Sequence, residues 1–181
     1  MIKFTKNNPE FESIKWVLQV NRKKDERKHI KYAYVKASGE DKFIVKTDGG
    51  RLHKYKLEIE MKEGFYEVIK NSQLEVILGY VEEQEELSYP DYENLFEIEG
   101  MEKKAEDVEM KWNKQLNEWN CYSDYAVIIR AMKNNTISYE YLRDVLSHNS
   151  CFDVHFKDSE SQQIYKKEGF NREAVLMPYQ I

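Results

Sequence analysis

The stretch that decides the fold is FIVKTDGGRLHKYKLEIE, residues 43–60. Two runs rich in β-branched and aromatic residues flank Asp48-Gly49-Gly50, and Arg51-Leu52 follows at once. Such runs around a glycine turn predict a β-hairpin. In the second run Tyr55, Leu57 and Ile59 form the apolar face, with His53 at its end. The residues alone leave two readings open. The glycines close a hairpin, or they also let another chain's backbone approach closely.

Working outward, Ile30 to Ala37 and Lys42 to Lys46 predict two strands before the turn, and Leu52 to Glu60 one after it. Upstream, MIKFT predicts a short first strand and Pro9 marks a helix start. Phe11, Ile14, Val17 and Leu18 then fall on one helical face, and Lys15, Gln19, Arg22 and Lys23 on another. The stretch 22–31 holds six Lys/Arg against two acids and reads as a loop. Downstream, residues 64–81 predict a hairpin around Asn71-Ser72, and Pro90 bars a central strand in the acidic run after it. Met101, Ala105, Val108, Trp112, Leu116 and Trp119 recur at spacings of three and four, which predicts a helix over 101–119. A second helix is predicted over 122–133. The chain closes with a short helix carrying Leu142, Val145 and Leu146, with Ser138 as its cap. Strands at 152–157, 162–167 and 173–179 follow it.

A helix followed by three strands thus occurs in 11–60 and again in 137–181. The fold class expected is α+β, with two helix-plus-antiparallel-strand repeats in one domain. Residues 61–135 read as an insertion of hairpin, acidic segment and one or two helices.

With 181 residues the chain has room for one such domain. No run approaches the ~20 apolar residues of a membrane span, and the first residues have no signal-peptide core, so a cytoplasmic protein with no membrane partner is expected. Residues 81–118 carry thirteen acids against four bases, −9 within a chain of net −5, which leaves +4 on the rest. An anionic partner is therefore compatible with the acidic total. Cys121 and Cys151 stand in unrelated contexts, and the four histidines are scattered, so neither a disulfide nor a metal site is expected. GxSxG, GxxxxGK[ST], HExxH and dinucleotide glycine patterns are all missing from the sequence. The glutamate pairs at 82–83 and 85–86 lie in a polar run with nothing to shift a pKa. The expectation is a non-enzyme with no cofactor.

Three stretches taken together resemble the bacterial sliding clamp, the β subunit of DNA polymerase III. They are FIVKTDGGRLHKYKLE, YPDYENLF (residues 89–96) and AVLMPYQI (residues 174–181). The family has a TDGHRL-like turn, an FPDY-like segment and a VMPMRL-like end. The likeness covers roughly 11–96 and 137–181. It implies a ring-forming fold with helices lining the hole and sheets outside, and a chain this short would close a ring only as a homo-oligomer. It also implies a hydrophobic groove for a short linear peptide of a polymerase or other replication protein. The matching positions are Thr47, Gly49, Gly50, Arg51 and Leu52, then Pro90 and Leu95, then Val175, Leu176, Met177, Pro178 and Tyr179. Leu52, Leu95, Val175, Leu176 and Met177 would give an apolar floor, Met adapting to varied side chains. Each also has a plain alternative: a hairpin turn, a strand breaker or core packing. Gly50 replaces the family's His, Asn94 stands where a basic residue is common, and Tyr179-Gln180 replaces Met-Arg.

For double-stranded DNA, the resemblance points to Lys15, Arg22, Lys23 and Lys24 around the first helix and Arg143 on the last. Phosphate contacts of this kind are non-specific and salt-sensitive. Glu140 and Asp144 beside Arg143 oppose that role. The function implied is a clamp-like replication or processivity accessory. The alternative is a clamp-fold interaction adaptor that no longer encircles DNA.

Overall fold

Strand β1 (Ile2–Thr5) turns through Asn8, whose Oδ1 accepts hydrogen bonds from Thr5 N and Oγ1, into helix α1 (Phe11–Leu18). The computed structural model describes residues 1–20, 27–113, 118–122, 138–148, 150–158 and 161–178; for 28, 29, 110–113, 118–122 and 139 it describes the backbone. The chain divides into two compact units, Met1–Asp91 and Tyr92–Ile181.

In the first unit a 3-10 turn (Lys28–Lys31) precedes β2 (Ala33–Ser38), β3 (Asp41–Thr47), β4 (Arg51–Lys56), β5 (Gly64–Asn71) and β6 (Glu75–Tyr80). All pairings are antiparallel, in the order β1-β6-β5-β2-β3-β4. Val35 pairs with Ile44 and Ile44 with Tyr55, so the three share one face. That face is buried under α1 through Phe11, Ile14, Trp16 and Val17. The spacing of those four residues explains why eight residues suffice for the helix: burial, not propensity, holds it. The opposite face receives the segment after β6. Tyr89 stacks on Tyr34 at 5.0 Å and 14°, and the Gln84 side-chain Oε1 accepts a hydrogen bond from Phe65 N at 3.2 Å.

In the second unit a 3-10 turn (Glu93–Phe96) is followed by β7 (Glu102–Asn113), β8 (Glu118–Tyr122), α2 (Tyr139–Val145), β9 (Cys151–Phe156), β10 (Gln163–Lys166) and β11 (Arg172–Leu176). These strands are antiparallel in the order β11-β10-β9-β7-β8. Their core includes Val108, Val145, Phe152, Val154, Ile164 and Tyr165.

The helix expected over 101–119 is not formed. Its described residues from Glu102 on belong to β7 and β8, which pair antiparallel with Trp112 opposite Trp119. The misreading has a physical cause. The pairing of β7 with β9 shifts register between Lys103 and Ala105 and again between Ala105 and Val108, and Asp107 takes a positive φ of 50°. Each bulge adds a residue. Ala105 and Val108, three apart, therefore both face the core, and the strand imitates helical spacing. Of the helix expected over 122–133, Tyr122 ends β8 and the rest lies outside the described residues.

The remaining elements follow the expected order. One described helix and a three-strand meander occur in each unit, α1 with β2–β4 and α2 with β9–β11. The 64–81 hairpin is β5–β6, paired on one side to β1 and on the other to β2. Strands β5 to β8 of the stretch 61–135 are thus hydrogen-bonded into the sheets of the two units.

Candidate functional site

The bend 47–52 is built by its own polar groups. Asp48 Oδ1 accepts from Gly50 N at 3.1 Å and Arg51 N at 3.0 Å, and Thr47 Oγ1 donates to Arg51 O at 2.8 Å. Asp48 Oδ2 pairs with Arg51 Nε at 3.1 Å, with only 1% and 5% of the two side chains exposed. Arg51 Nη2 then reaches the carbonyl of Gln19 at 3.3 Å, just past the end of α1, where helix carbonyls need outside donors. A charged donor fits the negative end of the helix dipole. One arginine therefore locks the bend and ties it to the helix.

Next along β4, His53 stacks on Trp16 at 4.2 Å and its Nδ1–H donates to Trp16 O at 2.8 Å. On β3, Lys46 is 3% exposed, and its Nζ donates to the carbonyls of Ile30 and Lys31, both at 3.0 Å. Burial pulls its pKa down to about 8, partly offset by the Asp48 charge.

Gly49 is exposed and has a φ of +82°. A Cβ there would lie 2.7 Å from Arg27 Nη2, because the Arg27 guanidinium lies over this residue. The glycine thus serves both the left-handed conformation and a close approach. Leu52, at 3% exposure, is core, and Pro90 is exposed.

In the second unit, the turn bearing Leu95 packs near β11, which carries Val175 and Leu176. The Leu95 carbonyl accepts a hydrogen bond from Gln162 Nε2 at 3.2 Å, and Tyr92 and Phe96 anchor the turn edge to face. Val175 and Leu176 are 1% and 0% exposed, whereas Met177 is 36% exposed and Pro178 half-buried. Tyr179 lies outside the described residues, as do Arg22, Lys23 and Lys24. Lys15 is half-buried on α1 with its ammonium 5.4 Å from the Phe11 ring centre. Arg143 is exposed on α2, with Nη2 3.5 Å from Asp144 Oδ1.

Sequence reasoning passed over Asp48, Lys46, Gln19 and Arg27. Asp48 stood in the quoted turn. An Asp three residues before an Arg across two glycines signals a self-closing turn. Nothing local signals the other three, whose partners lie far along the chain. Among the described residues no cluster of His, Cys, Asp or Glu could hold a metal ion, and no helix is long and apolar enough to cross a membrane.

The fold that carries these sites is that of the bacterial sliding clamp. Three solved structures illustrate the match. The DNA polymerase III β subunit of Thermotoga maritima superposes with a TM-score of 0.58 at 11% identity, over 99% of this chain and 65% of that one. The β subunit of Streptococcus pyogenes DNA polymerase gives 0.57 at 14% identity, over 99% and 66%. The Borrelia burgdorferi β subunit in complex with a natural product gives 0.54 at 11%, over 98% and 67%. The chain thus spans about two thirds of the length of these clamps. No protein-family model matches the sequence, and no curated protein does.

Proposed function

We propose that the chain is a clamp-like accessory of DNA replication. It acts without catalysis, associates with itself, contacts duplex DNA through phosphates and holds a partner protein by a short peptide. The observation that carries this reading is the clamp fold over 98–99% of the chain, coinciding with a TDG-RL bend held rigid by buried contacts. The peptide site is assigned to the bend 47–52, Pro90, Leu95 and residues 175–179. Of these, Met177 and Pro178 have the exposure to touch a ligand directly, while Leu52 in the first unit and Val175 and Leu176 in the second are core residues of their own units. Lys15 and Arg143, with Arg22, Lys23 and Lys24, are assigned to phosphate contact.

A second reading is favoured by the last helix. Arg143 lies 3.5 Å from Asp144 on a surface that also carries exposed Glu140, a poor lining for DNA. On this reading the chain is a clamp-fold adaptor that holds a protein partner and leaves DNA alone.

Light scattering combined with anisotropy of a labelled duplex separates the two. A clamp accessory gives an oligomer whose affinity falls steeply with salt, log K against log[salt] having a slope of about −0.9 for each phosphate neutralised. A monomer that ignores duplex DNA at low salt overturns the first reading. Met177→Ala tests the peptide site. Affinity for the partner peptide drops if Met177 touches it and is unchanged if the residue only packs.

A further inference from the structure

One buried ionisable group has no part in that function. Glu10, immediately before α1, is 1% exposed. Its Oε1 accepts hydrogen bonds from the backbone N–H groups of Glu58 and Ile59, at 2.5 and 3.2 Å. Those residues follow β4, so one side chain fastens the start of α1 to the chain leaving the opposite end of the strand from the 47–52 bend. Its Oε2 is also buried and has no hydrogen-bond partner among the described residues. The carboxyl is therefore half satisfied. Oε1 accepts two hydrogen bonds, whereas Oε2 is buried away from water, a costly state for a charged group that the nearby Tyr55 hydroxyl offsets only in part.

We propose that Glu10 is a pH-sensitive tie. The neutral acid holds α1 to residues 58–59, and the ionised form makes that junction the first part of the unit to open. The neutral form keeps both bonds, because its carbonyl oxygen still accepts the two N–H groups, and it removes the charge that burial penalises. Burial is the largest influence on its pKa and raises it. The Glu58 carboxylate raises it further, while the two backbone bonds and the Tyr55 hydroxyl act in the opposite direction. For an acid with a raised folded pKa, the contribution to stability is complete below the unfolded pKa and is lost as pH climbs through the folded one. The loss therefore starts just above the ordinary glutamate value of 4.5. The Arg51 anchor at the other end of α1 does not depend on this tie.

The test is amide hydrogen exchange on the full chain between pH 4 and pH 8, corrected for intrinsic rates. The amides of Glu58 and Ile59 should lose protection as pH rises, about tenfold for each pH unit by which the pKa is raised, while Val35 in the central sheet holds its protection. Glu10→Gln, an isostere of the neutral acid, should give a flat profile with protection at the acid-side level. Glu58→Gln should move the wild-type transition to lower pH. Matching pH profiles in wild type and Glu10→Gln, whether both flat or both falling, would overturn the proposal. The wild-type profile by itself decides the matter if the variant folds poorly, since a flat profile there also refutes it.

Discussion

Lys46 offers the sharpest quantitative test of the first unit. Its ammonium is 3% exposed and donates to two carbonyls at the end of the 3-10 turn. Its pKa is lowered from the ordinary 10.5 to about 8, chiefly by burial. A lysine with a depressed folded pKa contributes stability that is complete above the unfolded pKa and lost as pH falls through the folded one. Between about pH 8 and 10.5 the unfolded chain holds a proton that the folded chain has released, so stability rises with pH across that window. At 1.36 kcal/mol per pH unit the interval is worth about 3 kcal/mol. A neutral amine still has two N–H groups for the two carbonyls, so deprotonation breaks no contact. The assay is urea unfolding at half-unit steps from pH 7 to 10.5, for wild type and Lys46→Met. Exposed lysines and tyrosines titrate in both proteins and cancel in the difference. The wild-type advantage should grow by about 3 kcal/mol over the window, from a base set by the two carbonyls that methionine leaves without donors. A difference that stays level from pH 8 to 10.5 would mean that Lys46 titrates as in water, and the argument from burial would fail.

Three further outcomes follow from the same geometry. Arg51→Met leaves the Asp48 carboxylate buried without its cation and should cost about 3–5 kcal/mol in urea unfolding; adding Asp48→Asn should recover part of that loss, and an additive result would sink the pairing. Gly49→Ala meets both a positive φ and the Arg27 guanidinium at 2.7 Å. It should cost about 1–2 kcal/mol from the backbone alone, plus a steric part that vanishes when Arg27→Ala is combined with it in a double-mutant cycle. Tyr89→Ala removes the stack on Tyr34 and should loosen the segment after β6, read as faster limited proteolysis between residues 82 and 88 with little change at α1; an unchanged cleavage rate would show that the stack does not hold the segment.

The sequence carried its local grammar well. Asp48-Gly49-Gly50 between two β-rich runs became the β3–β4 hairpin, and of the expected Asn71-Ser72 turn Asn71 is the last residue of β5 while Ser72 opens the turn to β6, because turn chemistry and alternation are written within a few residues. It failed where a strand departs from period two. Two bulges put Ala105 and Val108 on one side of β7 although they are three residues apart, which imitates helical spacing. The motif at the bend did not reveal what its side chains do in the fold. Arg51 is one of the residues implied by resemblance as a peptide contact, yet its guanidinium is spent on Asp48 and the Gln19 carbonyl. Lys46 sits in FIVKT like an ordinary solvent-facing lysine. Only the fold brings the carbonyls of Ile30 and Lys31 to it.

That difference between motif and side-chain role bears on how the peptide site is to be tested. Around the bend, the polar atoms of Thr47, Asp48 and Arg51 are committed to one another or to α1. They have little left to offer a ligand, so on the proposed reading the bend would contribute shape: a fixed backbone with an exposed glycine in the left-handed region. In the second unit, Val175 and Leu176 are committed to the core, and exposure rises only at Met177 and Pro178. Substituting Arg51 or Leu176 would therefore weaken binding by unfolding what surrounds it, and such a loss would track stability. Substituting Met177 would weaken binding at unchanged stability. Measuring the unfolding free energy and the peptide Kd on the same variants separates the two cases. A Met177→Ala protein that loses stability in step with affinity would move Met177 from contact residue to core, and with it the assignment of the peptide site to this end of β11.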